Sequence, residues 1–352
     1  MLTAKRLPVV PNPGFETECY HNLRLSIVMT EPRLMPWCLS HFVNLIVQSK
    51  SAGQFPLVRF EEHLELYGGL LTEEPLAVKP GGYVSAIREA IDEGSYVLVY
   101  LDWKRIPQSH FFAVREMVHD ALVYGYDDES GTLDILAFET NGRAYGSVCL
   151  PYETCEAELA HVAERHADTH IWFAYYGFPL TAVRLHRSPS LPSGFDYRSL
   201  YFALERGRVR APGLSQDAFS SGYFVYDYMA GLFHQMAGGD VSLDPREFGF
   251  WNINVHKMMQ RHKWMLKRID ALECTAGSPL LDKSKRLYEN AKQRLMSIRV
   301  DSLKAQKTGD ARLLARIADH FQAMYEQEKR AVPLLMEYLV RLKFERKGEG
   351  SL

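Results

Sequence analysis

The sequence predicts a two-domain α+β protein, with strands in its first half and long helices in its second. Two apolar runs flank an Asp/Ser/Gly cluster between His119 and Glu139, which is typical of a β-hairpin. From about residue 196, apolar residues recur with helical spacing over long segments. Residues 187–195 are rich in Ser, Pro and Gly, as linkers are. We therefore expect one domain over residues 1–186 and a helical domain over residues 196–352.

Composition and charge exclude several classes of protein. The chain has 352 residues, of which 47% are hydrophobic and 24% charged, and this length suits two globular domains. A net charge of −2 offers no positive field that would attract nucleic acid. The sequence has no apolar run of the roughly 18 residues that a membrane span needs, and no signal-peptide pattern. Its five cysteines have no paired spacing, so we expect a reduced cytoplasmic protein.

A helix is predicted to begin at Thr17 or Glu18, which places Cys19 in its first turn. The partial positive charge of a helix N-terminus lowers the pKa of a thiol and favours the nucleophilic thiolate. Cys19 is therefore a candidate nucleophile, and a small buried core cysteine is the alternative interpretation. The other predicted elements are a buried segment over 34–48, helices over 83–93 and 151–163, strands over 96–101, 145–150 and 170–176, and four or five helices over 197–206, 215–236, 248–272, 283–306 and 311–344.

The predicted hairpin places a histidine near a carboxylate. His119 opens the first strand and Glu139 ends the second, and neighbouring strands lie about 5 Å apart. Such a pair supplies the base and its orienting group, and needs a nucleophile from elsewhere in the chain. A structural histidine at a strand end is the alternative. His166 and His170 have the i,i+4 spacing of metal ligands, but without an acidic or cysteine partner they predict no metal site.

The same segment resembles papain-like cysteine peptidases. From His119 the chain reads H-x-x-L-V-x-G-Y-D-D, it follows a strand that ends at Asp102, and the next strand ends in an acid. The closer similarity is to the butirosin biosynthesis H protein N-terminal-like family, with double-glycine peptidases as more distant relatives. The resemblance covers roughly residues 14–160. It implies a papain-like domain, followed here by an all-α domain, with Cys19, His119 and Glu139 as catalytic residues.

Two positions depart from the family pattern. Glu139 stands where the family has Asp, and its extra methylene changes how an imidazole is held, so Asn141 is a rival orienting residue. The family usually has a glutamine before the cysteine for the oxyanion hole. Here no glutamine precedes Cys19, and Asn12 is the nearest side-chain amide. The oxyanion would then be stabilised by Asn12 or by backbone N–H groups.

The resemblance implies an acyltransferase that works through a thioester on Cys19. The acyl donor would be the phosphopantetheine thioester of an acyl carrier protein, and the acceptor an amine of a small metabolite in natural-product biosynthesis. No other cofactor is implied. With water as the acceptor, the same site would make the protein a cysteine peptidase or amidase. A non-catalytic binding or scaffold protein that keeps the papain-like fold is the alternative from a different class.

Overall fold

A computed structural model describes residues 3–48, 53–78, 80–166, 178–186, 191–209, 218–241, 244 and 246–349. Within these ranges the protein is mixed α+β, with antiparallel sheets and long C-terminal helices, as the sequence predicts. The predicted strand over 170–176, which includes His170, and residues 187–190 of the predicted linker lie outside the described residues. In the described part of the chain, no helix is at once long enough and apolar enough to cross a membrane.

The described elements follow one another along the chain. In order they are β1 (Ala4–Arg6), α1 (Cys19–Val28), α2 (Met35–Ser40), β2 (Leu45–Gln48), β3 (Leu57–Phe60), β4 (Leu71–Pro75), α3 (Tyr83–Asp92), β5 (Tyr96–Asp102), β6 (Val118–Asp127), β7 (Thr132–Thr140), β8 (Arg143–Pro151), α4 (Tyr152–Arg165), β9 (Leu180–Leu185), α5 (Tyr197–Arg206), β10 (Ala218–Ser221), α6 (Phe224–Gly238), α7 (Glu247–Glu273), α8 (Pro279–Thr308) and α9 (Ala311–Glu349). Most of the predicted helices and strands are therefore confirmed in type and position.

The chain divides into two compact units. The first consists of residues 1–34 and 64–191, and the second of residues 35–63 and 192–352. Residues 35–63, which the sequence suggested for the first domain, belong to the second unit. The reason is strand pairing, because β2 and β3 pair with each other and β2 also pairs with β10.

The first unit is built on an antiparallel sheet in the order β4-β9-β5-β6-β7-β8, and β1 pairs with the end of β6. The predicted hairpin is confirmed as β6 and β7, with Ala121 opposite Ala137. Every residue of β5 is buried. Helices α3 and α4 pack on the sheet through apolar side chains such as Ile87 and Leu159. This sheet holds the first residues of β6 in a fixed position.

The second unit combines the small sheet β10-β2-β3 with helices α2 and α5 to α9. The predicted helix over 215–236 is wrong at its start, because residues 218–221 form β10 against β2 and the helix begins at Phe224. The spacing of apolar residues reports only local preference, so it did not reveal that β2, far away in the chain, provides a pairing partner for residues 218–221. The predicted buried segment over 34–48 divides into helix α2 and strand β2.

A buried ion cluster lies among the helices of the second unit. Arg261 of α7 forms an ion pair with Glu328 of α9, and both side chains are almost fully buried. Arg261 also donates to the carbonyl oxygen of Val43 at 2.8 Å and to the Tyr226 hydroxyl at 3.2 Å. The carboxylate of Glu328 lies 3.1 Å from Nε2 of His262. Burial opposes ionisation of Glu328, but Arg261 and His262 outweigh it and lower its pKa to about 2.

Candidate active site

Cys19 is the first residue of helix α1, so it lies in the first turn as predicted, although the helix begins one or two residues later than the sequence suggested. The carbonyl oxygen of Glu18 accepts hydrogen bonds from the amides of His21 and Asn22, at 2.9 and 2.8 Å, and so begins the helix. Amide N–H groups in the first turn of a helix have no acceptor within the helix, and their partial positive charge favours a thiolate. The residue Cys19 is half-buried.

His119 reaches the same place from strand β6. It pairs with Leu101 of β5 in the sheet, and the residue is 8% exposed. The ring of Phe138 stacks on the imidazole, with 4.8 Å between the ring centroids. The imidazole and the Cys19 thiol are within hydrogen-bonding distance of each other. The structure therefore brings together the predicted nucleophile and the predicted base, which are 100 residues apart in sequence.

Asp120 provides the carboxylate of the site. One of its oxygens, Oδ1, lies 2.7 Å from Nδ1 of His119, and the residue is 3% exposed. The ligand atoms of Cys19, His119 and Asp120 lie within 4.8 Å of one another. A thiol, an imidazole and a carboxylate in this order are the components of a nucleophile, a base and an orienting group.

Glu139, predicted to orient His119, does not contact it. Its backbone has a φ of 49°, and its carbonyl oxygen accepts a hydrogen bond from the amide of His110. The rival Asn141 is also displaced, because its side-chain amide donates to the carbonyl oxygen of Ser147 at 3.0 Å. Asn12, the predicted oxyanion donor, is exposed, and no contact joins it to this site within the described residues. Among the three acid or amide candidates near the hairpin, Asp120 is the one whose carboxylate contacts His119.

The two charged neighbours of Cys19, Asp120 and His119, shift the pKa of its thiol in opposite directions. Desolvation of the thiol raises the pKa of Cys19, the carboxylate of Asp120 raises it further, and His119 lowers it. Burial alone would lower the pKa of His119, but the charges of Cys19 and Asp120 outweigh burial and raise it well above its usual value. Both shifts favour the protonated forms, imidazolium and thiol, and the thiolate population grows as the pH rises.

Tyr145 adds a buried hydroxyl to the surroundings of the site. Its side chain is fully buried, and within the described residues its hydroxyl has no hydrogen-bond partner. Burial and the charges of Cys19 and Asp120 raise its pKa well above the usual value, so it remains a neutral proton donor. The sequence analysis assigned it only to a strand.

The same three side chains could hold a metal ion. Zinc binds thiolate, imidazole and carboxylate, often with three protein ligands and a water molecule. A zinc ion bound by Cys19, His119 and Asp120 would occupy the sulfur lone pair and block it as a nucleophile. The predicted absence of a metal remains a prediction.

Asp120 was missed because of a rule that usually holds for strands. Successive side chains of a strand point to opposite faces, so a carboxylate directly after His119 was not considered as its partner. His119 is the second residue of β6. At this N-terminal end of the strand its ring can reach the carboxylate of the next residue, Asp120. The available signal was the His-Asp dipeptide at a strand start. Comparison of the chain with protein-family models found no match, and comparison with curated proteins found none either.

Proposed function

We propose that this chain is a papain-like cysteine enzyme that moves an acyl group through a thioester on Cys19. The observation that carries the proposal is the meeting of Cys19, His119 and Asp120 at the start of helix α1. The resemblance around H-x-x-L-V-x-G-Y-D-D supports the same assignment. Asp120 replaces Glu139 as the residue that holds the imidazole.

The first half of the reaction forms the acyl-enzyme. The Cys19 thiolate attacks the carbonyl carbon of a thioester, and the N-terminal backbone N–H groups of α1 favour the developing negative charge. The bond to the leaving thiol then breaks, and the His119 imidazolium gives that thiol its proton. The products are an acyl-Cys19 thioester, a free thiol and a neutral imidazole.

The second half transfers the acyl group to an amine. The amine nitrogen attacks the thioester carbonyl, the carbon–sulfur bond breaks, and a proton passes from the nitrogen to His119. The site returns to thiolate and imidazolium. Following the resemblance, we propose a carrier-protein phosphopantetheine thioester as donor, an amine of a small metabolite as acceptor, and natural-product biosynthesis in the cytoplasm as the setting.

Hydrolysis is the second candidate, because Cys19 is half-buried and is not enclosed by the core as Cys38 and Cys155 are. With water in place of the amine, the same steps describe a cysteine amidase or peptidase. A non-catalytic scaffold is the third candidate, and the raised pKa of Cys19 is the property that would suit it.

The intact mass of the protein after incubation with a panel of acyl-pantetheine thioesters tests the proposal. We expect a single acyl adduct on the native chain and none on Cys19→Ala. Cys38→Ala is a matched control, because Cys38 is fully buried in the second unit and its loss should leave the adduct in place. If no thioester labels the native chain and Cys19 does not react with iodoacetamide up to pH 10, the enzyme proposal is wrong and the scaffold remains.

A further inference from the structure

Three side chains of the kinds that bind transition metals converge at the start of helix α1. The ligand atoms of Cys19, His119 and Asp120 lie within 4.8 Å of one another, and no other such group occurs among the described residues. In a tetrahedral zinc site, with bonds of about 2.0–2.3 Å, ligand atoms lie about 3.3–3.6 Å apart. Side-chain movements of about 1 Å therefore bring the three atoms to one ion.

One oxygen of the Asp120 carboxylate has a lone pair to offer. Oδ1 lies 2.7 Å from Nδ1 of His119, but among the described residues no donor reaches it with the geometry of a hydrogen bond. The residue is only 3% exposed. Buried polar atoms normally have a hydrogen-bond partner, and buried charges are paired or bind a metal ion. A cation between the three side chains supplies the partner that Oδ1 lacks.

The charges of the three ligands balance those of a divalent cation. As metal ligands, the Cys19 thiolate and the Asp120 carboxylate carry one negative charge each, and the His119 imidazole is neutral. The cluster that they form with a doubly charged ion is therefore neutral. Both His119 and Asp120 are buried, and burial penalises a net charge far more than a neutral cluster.

The ligand types favour zinc over magnesium or calcium. Magnesium and calcium take oxygen ligands, usually six or more, whereas this site offers one sulfur, one nitrogen and one oxygen. Zinc binds all three kinds of ligand, and it often takes three protein ligands and a water molecule. The donor set of the site is therefore that of a zinc site.

We infer that Cys19, His119 and Asp120 form a zinc site and that bound zinc inhibits acyl transfer. The inhibitory part rests on the proposed function, and the ion is a reversible inhibitor rather than a resident cofactor. As the zinc–sulfur bond forms, the thiol proton passes to solvent. The metal then holds the sulfur lone pair that attacks the thioester and the imidazole nitrogen that accepts the proton of the amine. A chelator that removes the ion restores both groups.

Calorimetric titration of the metal-free full chain with zinc chloride tests the site. We expect one ion per chain. Cys19→Ser, His119→Asn and Asp120→Asn should each raise the Kd at least tenfold, the usual effect of losing a ligand or its supporting partner. The double variant Cys149→Ser/Cys274→Ser is the matched control, because both cysteines are exposed and lie outside the site, and it should bind as the native chain does. Absence of binding, or native affinity in Cys19→Ser, would overturn the inference.

Alkylation of Cys19 by iodoacetamide gives a readout that needs no acyl chemistry. Saturating zinc should slow this alkylation at least tenfold, a chelator should restore it, and magnesium should leave it unchanged. The exposed Cys274, followed in the same digests, is the unprotected reference. An alkylation rate of Cys19 that zinc does not change would overturn the inference. The acyl adduct is measured separately with the chelator present, and its absence there would overturn the proposed function instead.

Discussion

The contact between His119 and Asp120 affects the pKa values of the candidate active site. Nδ1 of His119 lies 2.7 Å from the Asp120 carboxylate, and the ligand atoms of Cys19, His119 and Asp120 lie within 4.8 Å of one another. The carboxylate raises the pKa of both partners, whereas the imidazolium lowers that of the thiol. Removing the acid and removing the base should therefore have opposite effects on thiol reactivity.

The alkylation rate of Cys19 as a function of pH tests this balance. For the native chain we expect the rate to rise with pH, with a midpoint above the value of about 8.5 for an unperturbed cysteine. His119→Asn should move the midpoint to higher pH, since the stabilising imidazolium is lost. Asp120→Asn should move it to lower pH, since a nearby negative charge is lost.

The exposed Cys274, followed by mass spectrometry in the same digests, provides an internal reference for reagent and pH. An NMR titration of His119 gives an independent readout. Its pKa should fall in Asp120→Asn, because the neighbouring negative charge is gone. If His119→Asn and Asp120→Asn both shifted the midpoint of Cys19 alkylation in the same direction, the electrostatic roles assigned to His119 and Asp120 would be contradicted.

At the scale of elements, the hairpin depends on a crowded glycine. Gly125 lies between Arg6 of β1 and Asp134 of β7 in the sheet register. Their side chains form an ion pair across it at 2.5 Å. A Cβ at position 125 would lie 2.8 Å from the Arg6 side chain and 2.9 Å from that of Asp134. The glycine of the H-x-x-L-V-x-G-Y-D-D segment is therefore required by packing, independently of any catalytic role.

Gly125→Ala should lower the free energy of unfolding by about 1–3 kcal/mol, the usual cost of overpacking. Chemical denaturation of the full chain measures this change. Gly69→Ala is the matched control, because a Cβ there meets no atom within 4 Å, and we expect a change within about 0.5 kcal/mol. Equal stability of Gly125→Ala and the native chain would show that β1 can move away from β6 at little cost.

At the scale of the whole molecule, the two units are stabilised differently. The first unit has a core of apolar side chains on one sheet. The second unit also encloses the ion cluster of Arg261, Glu328 and His262. Removing one partner of a buried ion pair leaves an uncompensated buried charge. The resulting loss of folding stability is far larger than the loss caused by removing one partner of an exposed pair.

Glu328→Gln should therefore lower the free energy of unfolding by roughly 3–5 kcal/mol at neutral pH. The pKa of Glu328 is about 2 in the folded chain, below the usual value for Glu, so its stabilisation is complete above about pH 4.5. The stabilisation is lost as the pH falls towards 2, and the native chain and the variant should then converge. Denaturation midpoints from pH 2 to 7 measure this.

Glu337→Gln on the same helix is the matched control, because Glu337 is exposed and its ion pair among the described residues is with Arg341, one turn away. Its effect should stay below about 0.5 kcal/mol. A pH-independent difference between Glu328→Gln and the native chain would contradict the role of its charge.

The sequence alone determined the local features. Helical spacing located α3 and α7 to α9, and the Asp/Ser/Gly turn located the β6–β7 hairpin, because these patterns depend on neighbouring residues. The position of Cys19 in the first turn of a helix was also predicted, and His119 was predicted to open a strand that in the structure begins one residue earlier. Their meeting was suggested by the family resemblance and not by the spacing of the two residues.

Only the tertiary structure decided the features that depend on distant partners. It placed residues 35–63 in the second unit and made β10 a strand, because β2 provides the pairing edge. It also brought the carboxylate of Asp120 to His119, whereas Glu139, which has a positive φ at the end of β7, does not contact the imidazole. Strand pairing and backbone strain are set by long-range packing, whereas a sequence pattern reports only local preference.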